Sequence, residues 1–496
     1  MENIINAIYD LIWNRGLIYL CLISGIYFSF KTKFSHLRNL KLMIKLLFHY
    51  EKSEKGISNF QSFCTALAGR IGTGNIAGVA TAIALGGPGA LFWMWIITLV
   101  GAGSAFAEST LGQLYKEDHL DQYRGGPAYY IEKGLQNTTF SKIYGLLFAI
   151  VSIITMVIFL PAIQSNFIAN AVQTTFGLNR LISTTILVII TGFIVLGGIK
   201  KISAAAECIV PFMGVVYISM SLIIILLNIE QLPSVLEQIF KGAFGKDASF
   251  GGILGSTIAW GVKRGIYSNE AGQGTGVQAS SAAEVNHPAV QGFVQSLSIY
   301  IDTLFICSAT GFMILMTDCY TVFDEMTKKI IYTVGHTFTT DQIGAQYLIV
   351  GINTLKPGFG GAFITVSLFF FIFTSLIAYY YIAEVNLTYI VRKLNGNKHS
   401  KKTKYILTVI FLIAITIGSF KTSSMFEKLG DISLGIMSFL NIIAILILST
   451  QVIKCYDDYE NQLKKGIPTT KITFDPINLG IRNATFWEEK NYNSEK

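Results

Sequence analysis

Three observations predict an all-α polytopic membrane protein. The first is composition: of 496 residues, 52% are hydrophobic and 14% charged, with a mean hydropathy of +0.52. A soluble domain carries about 25% charged residues, so this chain lacks the polar material to cover a water-facing surface. The second is where the charges fall. Ile71–Ala107, Ile143–Asn179, Cys208–Ile229, Pro357–Ala383 and Ile432–Ile453 contain no Asp, Glu, Lys or Arg, and about 20 mostly apolar residues cross a hydrocarbon core. The third is an excess of Lys and Arg in one set of alternate loops, described below. Length alone would allow three soluble domains; the charge-free stretches exclude that reading.

A window of about 20 residues predicts an accessory helix near 16–32 and ten further spans. These lie near 60–85, 89–115, 140–170, 180–198, 204–228, 252–280, 288–317, 358–391, 403–421 and 428–453. The N-terminus lacks the basic region and small-residue cleavage site of a signal peptide, so Leu17–Phe30 is read as a retained membrane helix. Leu37–Tyr50 reads as an amphipathic helix on the membrane surface, and the tail after about 455 as polar, cytoplasmic and partly disordered. Four units follow: an accessory segment 1–59, five-span repeats 60–228 and 229–453, and the tail 454–496.

With the N-terminus outside, the inside loops 31–59, 116–142, 199–203, 281–287 and 392–404 carry 19 Lys and Arg, and the outside segments 9. The positive-inside rule favours this orientation and puts the C-terminus in the cytoplasm. These loops also account for the net charge of +8 without nucleic acid. The six cysteines are scattered, with no metal-binding or redox spacing.

Two spans are interrupted. Arg70-Ile-Gly-Thr-Gly-Asn75-Ile-Ala77-Gly78 and Arg264-Gly-Ile-Tyr-Ser-Asn269-Glu-Ala271-Gly272 share the pattern Arg-x4-Asn-x-Ala-Gly. Their spans start five apart, and an odd number inverts the second unit relative to the first. Paired glycine-interrupted spans point to a transporter's midplane site, because hydrocarbon tolerates unwound backbone only where a cavity or ligand satisfies it. Close helix packing of the GxxxG kind is the plainer alternative: Gly74–Gly78 and Gly272–Gly276 both fit it. Gly72-Thr-Gly74-Asn-Ile-Ala77 also fits a dinucleotide fingerprint, but no strand precedes it. The breaks are expected near Gly72–Asn75 and Gly265–Asn269.

Other classes fit less well. A channel would show a continuous polar stripe or charged ring, and a primary pump a P-loop. An enzyme would need a nucleophile with its base, or a metal cluster, yet all six His fall in loops or at span ends. No catalytic residue and no cofactor are expected.

Ala68-Gly-Arg-Ile-Gly-Thr-Gly-Asn-Ile-Ala-Gly-Val-Ala-Thr-Ala-Ile83 and Gly86-Gly-Pro-Gly-Ala-Leu-Phe-Trp-Met-Trp95 closely resemble the alanine or glycine:cation symporter family. So do Gly125-Gly-Pro-Ala-Tyr-Tyr-Ile131, Trp260-Gly-Val-Lys-Arg-Gly-Ile-Tyr-Ser-Asn-Glu-Ala-Gly-Gln-Gly274, Asp302-Thr303 and Phe373-Thr-Ser375. The resemblance runs from about residue 10 to 455. It implies a LeuT-type fold of two inverted five-helix repeats plus the accessory helix, about eleven spans in all. It also implies Na⁺-coupled, or H⁺-coupled, uptake of alanine, glycine or, in some members, glutamine.

A zwitterion needs donors for its carboxylate and acceptors for its ammonium. The N–H groups of Thr73, Gly74 and Asn75 open a half-helix whose positive end suits a carboxylate. Pro161 disrupts the third span near Gln164, whose amide oxygen can accept from an ammonium; the resemblance implies substrate contact there. Ile266, Tyr267, Ser268 and Asn269 are expected to close the pocket. For the sodium ion the resemblance implies carbonyls of Ala68, Ile71 and Phe371 with the hydroxyls of Thr374 and Ser375. A Thr-Ser pair can equally back-bond to its own helix. No Lys or Arg lies between Ala204 and Asn228 in the fifth span, where some proton-coupled relatives of the fold carry a Lys, which favours sodium. Charges in or beside spans (Arg70, Glu108, Arg264, Glu270, Asp302, Glu384 and Asp431) are functional candidates, with Arg264–Glu270 pairing as a structural alternative.

Overall fold

The computed structural model describes residues 2–49, 55–119, 121–246, 253–395 and 401–494. These residues form a helical bundle with two short antiparallel hairpins. The chain opens with α1 (Ile4–Lys31) and the amphipathic α2 (Leu40–Leu47). The first group of five contains a broken helix, α3 (Asn59–Arg70) and α4 (Gly74–Gly86), then α5 (Ala90–Leu114). A hairpin of β1 (Glu117–Asp118) and β2 (Tyr123–Arg124) and the short α6 (Pro127–Gly134) lead to α7 (Thr139–Phe176), α8 (Arg180–Val195) and α9 (Gly198–Leu227).

After α10 (Leu232–Ala243), the second group opens with another broken helix, α11 (Leu254–Asn269) and α12 (Val277–Ala282), and continues with α13 (Ala289–Leu315). A hairpin of β3 (Tyr320–Phe323) and β4 (Ile330–Val334) precedes α14 (Ala345–Leu355). Then come α15 (Phe359–Asn395), α16 (Lys401–Phe420) and α17 (Ser424–Ile447). Among the described residues, eight helices are long and apolar enough to cross a membrane; α8 and the two broken helices are shorter.

Local chemistry sets the ends. Ser58 and Gln61 form a reciprocal capping box at the start of α3. Gly177, at φ +65°, ends α7, and Asn179 Oδ1 accepts from the Leu181 N–H to start α8. Large apolar side chains face outward at helical spacing, among them Ile182, Ile186, Ile189 and Phe193 on α8 and Ile406, Ile410, Ile413 and Ile417 on α16. So wide an apolar surface is stable only in lipid. The protein is a multi-pass membrane protein.

The tail differs from the expected partly disordered segment. It forms α18 (Ser449–Lys464) and α19 (Thr485–Ser494) and packs under the bundle. Trp487 is buried and donates from Nε1 to Gln113 O at 3.0 Å; Lys490 meets Glu284 at 3.1 Å; Asn286 donates to Thr469 O at 2.8 Å. Ile472, Phe474, Ile481 and Trp487 recur too sparsely in a polar stretch to register as a periodic pattern, yet all four are buried.

Candidate functional site between the broken helices

At the first break Arg70 ends α3 and Ile71 is extended (φ −76°, ψ 106°). Side chains replace the missing helix partners. Gly72 N–H donates to Asn75 Oδ1 at 2.8 Å, Ser375 Oγ donates to Ile71 O at 2.8 Å, and Thr310 Oγ1 donates to Asn75 O at 2.7 Å. This break falls where the glycines and Asn75 predict it.

The second break does not. Helix α11 continues through Gly265–Asn269, and the chain unwinds only at 270–276, with Glu270, Gly272 and Gly274 at φ +54°, +80° and +79°. Gly265 serves packing instead: a Cβ there would lie 2.3 Å from Ile97 Cγ2 on α5. Arg70 is therefore the last residue of its helix while Arg264 lies inside one, and the shared sequence pattern is out of step with the structural breaks. The unwound backbone is held by Glu108 Oε2, which accepts from Gly274 N–H at 3.1 Å and from Asn441 Nδ2 at 2.8 Å. Asn441 Nδ2 also donates to Gly272 O at 2.9 Å. Thr275 Oγ1 donates to Glu270 at 2.6 Å, and Gln273 Nε2 to Ile266 O at 2.9 Å. Arg264 does not pair with Glu270; its guanidinium sits over the rings of Trp260 (5.3 Å) and Tyr267 (5.7 Å).

A small cavity of about 10 Å³ lies between the breaks, lined by Arg70, Gly72, Gly74, Leu160, Gln164, Tyr267, Glu270, Tyr379 and Leu434. Of the expected substrate residues, Gly74, Gln164 and Tyr267 line it. Gln164 Nε2 is 3.5 Å from Tyr379 Oη, and its Oε1 is buried with no hydrogen-bond partner. Within α7 a π turn, Thr155–Phe159, interrupts the regular helix, which resumes at Leu160 just before Pro161 and carries Gln164 to the break. A Cβ on Gly72 would lie 2.9 Å from Gln164 Nε2 and 3.0 Å from Ser375 Oγ, so a larger residue would have to displace these side chains. Thr73 is buried beside the cavity without lining it, and Ile266 is buried in α11.

Asn75 and Ser268 turn the other way, toward a π turn of α13, Ile301–Cys307. Asn75 Nδ2 donates to Asp302 Oδ1 at 2.6 Å and Ser268 Oγ to Asp302 Oδ2 at 2.9 Å; Thr303 Oγ1 adds 2.8 Å. Asn269 faces α5, with Nδ2 3.4 Å from Thr98 Oγ1. Sequence reasoning did not place Tyr379, Leu160 and Leu434 at the cavity. Tyr379 follows Ser375 by four residues, on the same helix face, and that spacing was the available signal.

The five expected cation residues converge in part. Ser375 Oγ is 2.8 Å from both Ile71 O and Phe371 O; Thr374 Oγ1 is 3.0 Å from Phe370 O and Phe371 O. Both hydroxyls thus back-bond within α15, as such residues commonly do, while Ser375 also reaches the broken helix. Ala68 is fully buried two residues before the end of α3.

A membrane bundle whose two broken helices face one another across a buried polar cavity has the architecture of a secondary transporter. The chain belongs to the Sodium:alanine symporter family, whose model matches residues 1–473. It is 45% identical over 447 residues to the sodium/proton-dependent alanine carrier protein of Bacillus sp. (strain PS3), covering 90% of this chain and 97% of that one. It is 34% identical over 455 residues to the sodium/alanine symporter AgcS of Methanococcus maripaludis, covering 91% and 95%. Among solved structures, MhsT in complex with L-phenylalanine superposes with a TM-score of 0.58 at 16% identity, covering 82% of this chain and 93% of that one. That likeness establishes the LeuT-type fold.

Proposed function

We propose that the protein imports a small neutral amino acid, such as alanine or glycine, coupled to the sodium gradient. The observation that carries this reading is the placement of Gln164, with its unpartnered Oε1, against Gly72 at the first break. Gln164 offers the acceptor an ammonium needs, and the N–H groups of Thr73, Gly74 and Asn75 offer the positive helix end a carboxylate needs. Leu160, Tyr267, Tyr379 and Leu434 close the cavity with bulk. Family membership supports the same substrate class.

Sodium would sit among the carbonyls of Ala68, Ile71 and Phe371 and the hydroxyls of Thr374 and Ser375. The Ser375 proton that now meets Ile71 O would turn to Phe371 O, leaving Ile71 O and the hydroxyl lone pairs to the ion. The excess of Lys and Arg in alternate loops supports an outside N-terminus and a cytoplasmic C-terminus.

Proton coupling is the second reading, favoured by the buried carboxylates of Asp302 and Glu270 beside the breaks; glutamine selectivity is a variant of the substrate. Proteoliposome uptake with Na⁺ and pH gradients imposed separately, competed by alanine, glycine, serine and glutamine, tests all of these. Uptake driven by Na⁺ alone and blocked by alanine or glycine supports the proposal. Uptake indifferent to Na⁺ overturns the coupling, and uptake blocked by glutamine alone overturns the substrate. Failure of labelled amino acid to exchange by counterflow would overturn the transporter mechanism itself.

A further inference from the structure

An apolar groove of about 620 Å³ runs between α2, α3, α9 and α13, with a lining distinct from that of the break cavity but reaching Leu67 and Ile71 beside the first break. Its walls include Ile44, Phe63, Leu67, Gly214 and Leu304, with Pro211 from inside the continuous α9. The lining carries almost no polar group; the Tyr300 hydroxyl is engaged by His36 Nδ1 at 2.7 Å. Gly214 forms an open floor, where an added Cβ would meet only Ile306 Cδ1 at 3.8 Å. Val215 and Phe305 on the rim are exposed, so the groove opens sideways to the bilayer.

The end of the groove beside α2 carries charge. Lys41 and Lys45 alternate with the lining residues Leu40 and Ile44. Both lysines are exposed, and among the described residues neither forms a salt bridge. An amphipathic surface helix holds such ammonium groups at headgroup level, where lipid phosphates lie. We infer that the groove binds one acyl chain of an anionic phospholipid, with its headgroup phosphate on Lys41 and Lys45.

The chemistry fixes what should discriminate. A lipid tail leaving the bilayer for an apolar groove exchanges one hydrocarbon environment for another and gains little from burial. Selectivity therefore comes from the lysines, and headgroup charge matters more than chain length. The bound chain would pack against Leu67 and Ile71, behind the turn whose carbonyl meets Ser375. The bilayer would thus brace the first broken helix in the conformation seen here.

Native mass spectrometry of the delipidated protein, titrated with dioleoyl-phosphatidylglycerol or dioleoyl-phosphatidylcholine, tests this without reference to transport. The first retained phosphatidylglycerol should bind roughly 10- to 30-fold more tightly than phosphatidylcholine. Lys41→Gln/Lys45→Gln should remove that preference, and Gly214→Phe, which fills the floor, should remove the tightly held lipid. Equal retention of the two lipids by wild type overturns the inference, as does a preference surviving the double lysine change. Should Gly214→Phe misfold, the lysine pair alone decides.

Discussion

Ser375 Oγ donates to the carbonyl oxygen of Ile71 at 2.8 Å, so a hydroxyl from the second repeat occupies a backbone acceptor freed where the first repeat unwinds. The same hydroxyl lies 2.8 Å from Phe371 O. One small side chain therefore joins the two halves at the point where the first helix breaks.

Replacing Thr374 and Ser375 together with Ala removes two hydroxyl oxygens and almost no volume. The fold should survive, and amino-acid affinity should lose its Na⁺ dependence, because coupling between two ligands is reciprocal. Uptake measured against Na⁺ concentration reads this out. Wild-type Na⁺ dependence in the double variant would rule out these hydroxyls as ion ligands.

Gln164→Ala should weaken amino-acid binding by about 10- to 150-fold, the equivalent of roughly 1.5–3 kcal/mol for one charge-assisted hydrogen bond. Binding to the purified variant, checked for correct folding, measures it. Unchanged affinity would leave Gln164 as a structural contact to Tyr379 across the helices.

Glu108→Ala should destabilise the second break rather than alter substrate choice. It strands the Gly274 N–H and one Asn441 donor in a dry interior, at a cost of roughly 1–3 kcal/mol per unsatisfied group. A melting temperature matching wild type in detergent would show that other groups hold the unwound chain.

His36 gives a pH signature. Burial between α1 and α13 pushes its imidazole down from 6.5 to about 4, so the folded protein keeps it neutral while the unfolded chain protonates. Its contribution is present in full above pH 6.5 and is lost as pH falls toward 4. The melting temperature should drop between pH 7 and pH 5, and His36→Gln should shrink that drop. An identical drop in the variant would assign the acid sensitivity to other groups.

The membrane class and span positions were legible because charge-free stretches of the right length have few other uses. The first break was legible because Gly72 and Gly74 flank a polar side chain, Asn75, that can satisfy unwound backbone. The second was misplaced because glycine has two uses: Gly265 permits close approach to Ile97, whereas Gly272 and Gly274 permit positive φ. Sequence spacing does not tell these apart. The turning of Asn75 and Ser268 toward Asp302 was hidden for another reason: it depends on a π turn in α13 that rotates the Asp302 carboxylate into reach. Glu108 and Asn441, 333 positions apart, meet only through the fold.

The docked tail bears on how the molecule is made. Membrane helices enter the bilayer in the order of synthesis, but Trp487 and Lys490 clamp segments translated far earlier, at Gln113 and Glu284. Until Trp487 and Lys490 have been synthesised, the surfaces at Gln113 and Glu284 that they cover stay open to water.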